Sequence, residues 1–315
     1  MSDAVAAVHG AVCSAVARAD WIVLAVSGGR DSMVLLDAFA TLRGSTVAGV
    51  ATFDHATGEA ATRAIALVRD AAAQYGLAFV TERAAAPMAN EEEWRGARWR
   101  FLNAAALRLR ARVATAHTRD DQIETVLMRA LRDTGPRGLA GLYAESSVVR
   151  PFLGVSRSQI TAYAQERAVP FIDDPSNESR RHLRNRVRLD ILPACESVRP
   201  GFGNGLLDIA RRSAEWRADV ERTVDAMSPW MEGTSVFVPA EDVLGHPVEM
   251  RAILWPAIAA RAGVVLDRRG TERLAAFTTR SSRTSRIQLA GGHEVVRHAR
   301  TFEVRPAAAG RVTRP

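Results

Sequence analysis

Residues 25–36 read Ala-Val-Ser-Gly-Gly-Arg-Asp-Ser-Met-Val-Leu-Leu, a polar hexad set between two apolar runs. Ser27-Gly28-Gly29-Arg30-Asp31-Ser32 has the composition of an anion site at a strand-to-helix turn. Glycines let backbone N–H groups close on a phosphate, a helix N-terminus adds partial positive charge, and Ser27 and Ser32 add hydroxyls. Asp31 is out of place beside a phosphate unless a cation lies between them, so the hexad implies Mg2+. The same residues would also make an ordinary turn in which Asp31 caps the helix. Two familiar nucleotide loops are excluded. The spacing is not G-x-G-x-x-G, and the chain has no lysine to complete G-x-x-x-x-G-K-[ST].

A second constellation lies in Thr115–Leu142, TAHTRDDQIETVLMRALRDTGPRGLAGL. His117 falls at the end of a predicted strand, and Asp120 and Asp121 open a predicted helix. The helix dipole alone favours acids there. Asp121 and Glu124, however, are spaced i, i+3 and share a face. With His117 they would point out of the carboxyl edge of a sheet, near the first loop, where open α/β sheets bind ligands. Asp54 and His55 follow the second predicted strand.

These groups need a frame. Apolar runs at 21–26, 47–53, 77–80, 113–116 and 148–153 read as five strands, with helices at 33–42, 59–75, 91–110, 120–131 and 156–167 between and after them. Alternation of wholly apolar strands with helices predicts a parallel sheet covered on both faces. After Pro170 a turn-rich loop leads into a basic helix, residues 201–205 form a glycine-rich break, and 206–227 reads as a long polar helix. A smaller α+β unit follows. The expected division is 1–205 catalytic, 206–232 helical linker and 233–315 C-terminal.

Composition sets limits. The chain has 315 residues, 47% of them apolar, and a net charge of +7, which suits a globular protein with a polyanionic partner. All 42 basic residues are arginine; guanidinium forks match phosphates, although a GC-rich genome produces the same bias. Cys13 and Cys195 are far apart and lack CxxC spacing, so no disulfide framework or zinc site is expected and a reducing cytoplasm fits. No signal peptide or membrane span is read from the sequence.

Ser-Gly-Gly-x-Asp-Ser after the first strand resembles the PP-loop of N-type ATP pyrophosphatases. The 115–142 segment, including its Gly-Pro-x-Gly-Leu run, resembles the signature of tRNA(Ile)-lysidine synthetases. Three further segments are similar to that family. They are the Asp54-His55 pair, the Glu91, Arg95, Arg98, Trp99 helix, and Asp174, Ser176, Asn177 followed by Arg184, Asn185 and Arg188. The resemblance covers about residues 20–200. It implies an adenine nucleotide alpha hydrolase-like, Rossmann-like PP-loop domain. It also implies ATP-dependent ligation of free L-lysine to the wobble cytidine of CAU-anticodon tRNA(Ile), through an adenylated cytidine.

On this resemblance Ser27, Gly28, Gly29, Arg30 and Ser32, with Asp54 and His55, belong to the ATP site, and Asp31 and Asp121 hold Mg2+. His117 contacts phosphate or shuttles a proton. Glu124 receives or deprotonates the lysine ammonium. Arg95, Arg98, Arg184, Asn185 and Arg188 meet tRNA or phosphate. Arginines of the C-terminal unit, Arg280, Arg283, Arg286, Arg297 and Arg300, are candidates for tRNA docking. Any single arginine in these helices would equally serve a solvated face. The chain departs from the family at Ala56–Glu59, where Gly-Leu-Arg is usual, and at Thr118, where a second histidine is usual. The competing readings are a PP-loop thiolase, which would need paired cysteines, and a catalytically silent RNA-binding homologue. A homodimer is left open.

Overall fold

The computed structural model describes residues 2–16, 21–54, 56, 58–84, 91–173, 179–280 and 285–307. His55, Asp174, Ser176, Asn177 and Arg283 lie outside these residues, as do the side chains of Glu91 and Arg280. The chain divides into two compact units: Met1–Thr134 with Leu139–Arg211, and Gly135–Gly138 with Arg212–Pro315.

The first unit contains α1 (Asp3–Val16), β1 (Ile22–Ala25), α2 (Arg30–Arg43), β2 (Val47–Asp54), α3 (Glu59–Gln74), β3 (Phe79–Arg83), α4 (Glu91–Arg108), β4 (Arg112–Ala114) and α5 (Arg119–Ala130). A short α6 (Pro136–Leu139), assigned mostly to the second unit, precedes α7 (Arg157–Glu166), α8 (Leu183–Arg186), α9 (Leu192–Val198) and α10 (Phe202–Ala226), which the division cuts. The four strands pair in parallel in the order β3-β2-β1-β4. Alternate strand residues face opposite layers. Ile22 and Leu24 pack with Val8 of α1, Leu35 of α2 and Ile160 of α7. Val23 packs with Ala97, Phe101 and Leu102 of α4. Burial on both faces keeps β1 wholly apolar and β2 nearly so, whereas β3, at the edge of the sheet, ends in exposed Thr81, Glu82 and Arg83.

The order 3-2-1-4 has a consequence for binding. The chain leaves β1 toward β2 on one side and returns to β4 on the other, so the sheet switches direction between β1 and β4. Loops diverge at such a point and leave a crevice at the carboxyl edge. The segments that open there are 26–32 and 115–118.

The expected fifth strand at 148–153 is reduced to a single parallel bridge, Ala114 with Val149, followed by a 3-10 turn at Pro151–Gly154. Pro151 has no N–H to extend a ladder. The glycine-rich break expected at 201–205 is shortened to a turn at 199–201 with Gly201 at φ 84°, because α10 starts at Phe202 and includes Gly203 and Gly205. The Glu196 carboxylate accepts the N–H groups of Gly201 and Gly203 at 2.8 and 2.7 Å, and this caps the helix entry. The long polar helix expected at 206–227 is α10, and the division falls within it at 211/212.

The second unit holds β5 (Trp230–Glu232), β6 (Ser235–Pro239), α11 (Ala240–Leu244), α12 (Val248–Arg261), α13 (Arg268–Arg280), β7 (Ser285–Leu289), β8 (His293–Arg297) and β9 (Thr301–Pro306). Its sheet is antiparallel in the order β5-β6-β9-β8-β7. Val236, Val238, Val295, Phe302 and Val304 bury against Leu254, Trp255 and Ile258, with Trp255 and Phe302 edge-to-face at 5.4 Å. Among the described residues no helix is long and apolar enough to cross a membrane.

Candidate functional site

A cavity of about 760 Å³ opens at the carboxyl edge of the parallel sheet. It receives the hexad on one side, Asp54 from the end of β2, and Thr115, His117 and Asp121 beyond β4. The sequence placed these groups together, and the structure does so as well.

The hexad forms a strand-to-helix turn. Gly29 is extended at the N-cap of α2 and contributes no side-chain cap. The first-turn N–H groups of α2 are therefore orphan donors at the positive end of a helix dipole. Gly28 has φ +87°, and a Cβ there would lie 2.7 Å from Ala64 Cβ of α3. Gly28→Ala is thus expected to lower the melting temperature by several degrees and to weaken nucleotide binding together with it, as checked by thermal unfolding with and without ATP. Ser32 is more constrained than expected. Its hydroxyl donates to Gly29 O at 2.8 Å and accepts from Ser27 N at 3.1 Å. Ser32 closes the loop, and its proton is not free for a ligand.

Asp31 accepts from Arg30 Nε at 3.3 Å. Burial raises its pKa, Arg30 opposes the rise, and the charge of Asp121 adds to it. Asp121 is fixed by a capping box. Thr118 N and Thr118 Oγ1 donate to its Oδ2 at 2.8 and 3.0 Å, and Asp121 N donates to Thr118 Oγ1 at 3.3 Å. The threonine that replaces the usual second histidine is therefore the N-cap of α5. Asp54 Oδ1 accepts from Ala56 N at 2.7 Å, and Oδ2 stands 3.6 Å from Arg83.

His117 Nδ1 bonds Thr115 Oγ1 at 2.8 Å. Burial lowers its pKa to about 4, Asp121 acts against this, and Arg150, Arg184 and Arg98 reinforce it. The imidazole is neutral at pH 7, so it binds an anion only through one N–H, not as a cation. NMR titration is expected to show the His117 ring unchanged from pH 8 to 5, with protonation near pH 4. A midpoint near pH 6.5 would contradict this environment.

The largest departure from expectation is at Glu124. Its side chain is 1% exposed, and both oxygens are taken by guanidinium groups. Oε1 accepts from Arg157 Nη2 at 2.9 Å and Arg188 Nε at 2.8 Å. Oε2 accepts from Arg184 Nε at 2.9 Å and Arg188 Nη2 at 3.2 Å. A carboxylate has about four lone-pair sites, and these four bonds fill them. Burial alone would raise its pKa. The bond from Arg188 and the charges of Arg157, Arg184 and Arg188 instead hold it at about 2. At neutral pH Glu124 is thus not a base, and it has no site left for an ammonium.

Arg184 and Arg188, expected on phosphate or tRNA, point instead at Glu124, and they stand 3.2 and 3.9 Å from Asp121 Oδ1. Asn185 donates to Ser179 O at 2.8 Å and does not line the cavity. Arg98 lines the cavity, whereas Arg95 is exposed on α4.

Sequence reasoning missed Arg157, which lines the cavity and bonds both Glu124 and Asp121. It occupies the first position of α7, directly after the Ser156 cap. A cation at a helix N-terminus opposes the dipole, and that local cost was the available signal. Gln122 was also missed. It is fully buried, donates to Ala140 O at 2.9 Å and accepts from Leu142 N at 2.6 Å. It ties α5 to the glycine-rich segment that follows.

A phosphate-type loop at the switch point of a parallel sheet, facing an acidic helix N-terminus, defines an α/β nucleotide-loop domain. Residues 6–195 match the PP-loop domain family, and the chain belongs to it. Among similar proteins, tRNA(Ile)-lysidine synthase of Salinispora arenicola (strain CNS-205) is 39% identical over 208 residues, covering 61% of each chain. The enzyme of the same name from Solibacter usitatus (strain Ellin6076) is 40% identical over 211 residues, 64% of this chain and 48% of that one. That of Thermosipho africanus (strain TCF52B) is 30% identical over 237 residues, 71% and 56%. The matches thus span roughly half the length of these curated relatives. The U34-tRNA thiolase NcsA from Methanococcus maripaludis shares the fold at a TM-score of 0.54 with 14% identity, over 67% of this chain and 79% of that one.

Proposed function

We propose that this chain uses ATP to join free lysine to C2 of the wobble cytidine in CAU-anticodon tRNA(Ile). One observation carries the reading. A single cavity joins the Ser27–Ser32 loop to Asp121 and to arginines anchored on Glu124. The names of the similar proteins support the choice of substrate.

In the first step the cytidine O2 attacks the α-phosphorus of ATP. The bond to the bridging oxygen breaks and pyrophosphate leaves. The orphan N–H groups at the start of α2 and the Ser27 hydroxyl hold the departing phosphates. In the second step an amine of lysine, having lost a proton, attacks C2, and AMP leaves with the C2–O bond electrons. Asp31 and Asp121 are the two carboxylates that would hold Mg2+, with Asp121 Oδ1 first releasing the Arg157 and Arg184 guanidinium groups that bond it at 3.4 and 3.2 Å. Both line the cavity, and the charge of Asp121 raises Asp31, a repulsion that a divalent ion relieves. Bound there, the ion would offset charge developing on phosphoryl oxygens. Glu124 fixes Arg157, Arg184 and Arg188, and their remaining N–H donors supply positive potential to the same region. An anticodon-loop base is unstacked and can enter such a pocket. The second unit, rich in arginine, adds contacts to the RNA backbone.

Pyrophosphate release should require ATP, Mg2+ and the CAU-anticodon transcript together. It should be absent when the wobble cytidine is replaced by uridine. Equal release with either transcript would contradict the proposed acceptor. The thiolase reading finds no support at Cys13 and Cys195, which are both free.

A further inference from the structure

Arg150 has no part in the reading above. It follows Val149, which bridges Ala114 and whose carbonyl accepts the Thr115 amide at 3.0 Å. Thr115 in turn bonds the His117 ring, so Arg150 belongs to the same sheet edge. Its Nη1 is anchored on Ser146 Oγ at 2.7 Å. Its Nε is buried and has no hydrogen-bond partner. Among the described residues, neither Arg150 nor Arg95 has a carboxylate partner. The positive groups nevertheless converge. Burial and then the charge of Arg95 push the Arg150 guanidinium below its ordinary range, and Arg150, Arg184 and Arg98 all act on His117. A buried unbonded donor among like charges is costly unless an anion completes the set.

We infer that Arg150, with Arg95 and Arg98, forms a subsite for a backbone phosphodiester of the RNA strand whose base enters the cavity. Arg98 lines the cavity, and Arg95, one helical turn away on α4, is exposed. The strip therefore leads from the cavity wall to solvent. That suits a chain with one nucleotide inside and its backbone outside, rather than an enclosed small molecule. The inference rests on the proposed RNA substrate.

The test compares wild type, Arg150→Gln and Arg150→Lys, with folding checked by circular dichroism. Binding of the unmodified CAU-anticodon tRNA transcript is measured across salt concentrations. Arg150→Gln is expected to weaken binding about tenfold and to make the slope of log K against log salt shallower by about 0.7, the value for one single-strand phosphate contact. Arg150→Lys, which keeps the charge but not the fork, is expected to fall between and serves as the readout if Gln does not fold. The KM for ATP and for lysine should stay within twofold. Unchanged tRNA affinity and slope would overturn the subsite, as would a rise confined to the KM of ATP or lysine. If wild type binds the transcript with this Arg150 dependence yet transfers no lysine, the subsite stands and the proposed reaction falls.

Discussion

Asp31→Ala is expected to reduce turnover about 10³-fold or more while leaving the fold intact. The reason lies in what Asp31 touches. Its side chain is 29% exposed, and its hydrogen bond is to the adjacent Arg30, so truncation leaves no large cavity and strands no buried partner. The melting temperature should move by no more than ~2 °C. The carboxylate nonetheless lines the cavity beside the Ser27–Ser32 loop, and the charge of Asp121 acts to raise its pKa. Arg30 and Arg157 offset part of that repulsion, and a divalent ion held by both carboxylates would relieve the rest. Pyrophosphate release and tRNA binding are therefore expected to separate, the first lost and the second within twofold of wild type. Near-normal turnover in this variant, at any Mg2+ concentration, would remove Asp31 from the proposed metal pair.

Glu124→Gln is the second large effect, and here stability and turnover fall together. The substitution removes the negative charge that accepts from Arg157, Arg184 and Arg188 and turns an amide N–H2 toward them. Breaking a buried charge set by removing one partner costs about 3–5 kcal/mol. A variant that also carries Arg188→Gln should recover part of that loss, because one unpaired cation goes with it. A purely catalytic base would show no such recovery. The pH dependence has a definite sign. The folded-state pKa of Glu124, about 2, lies below its ordinary value of 4.5. Its contribution is therefore complete above pH 4.5 and is lost as the pH falls toward 2. Wild type should lose stability steeply across that window, and Glu124→Gln should lose less. Equal acid sensitivity would show that the arginines do not depend on this carboxylate.

The sequence made local chemistry visible and left tertiary chemistry hidden. Ser27–Ser32 and His117–Glu124 are contiguous segments, and their spacing alone put them at a strand end and a helix start. The strands nearest the middle of the sheet were readable because burial on both faces keeps them apolar, whereas the edge strand β3 extends past its apolar run into exposed Thr81, Glu82 and Arg83. The strand at 148–153 failed because Pro151 limits pairing to one bridge. The break at 201–205 is shortened because Glu196, five residues before Gly201, caps the helix. Glu124 was the instructive case. Its identity and its face of α5 were correctly placed, but its partners come from residues 33, 60 and 64 positions away. No local pattern reveals that such an acid is already saturated. Arg184 and Arg188 were assigned to RNA or phosphate by the family resemblance, and a matching motif cannot separate a guanidinium that faces a ligand from one that faces a buried carboxylate.

The central claim is that this cavity performs ATP-dependent addition of lysine to a wobble cytidine. Its most direct test is incubation of the protein with ATP, Mg2+, radiolabelled lysine and unmodified CAU-anticodon tRNA(Ile), followed by nuclease digestion and identification of the labelled nucleoside. Label is expected at the wobble position, dependent on ATP and lost in Asp31→Ala. Folded protein that binds the transcript and ATP but leaves that cytidine unlabelled would contradict it.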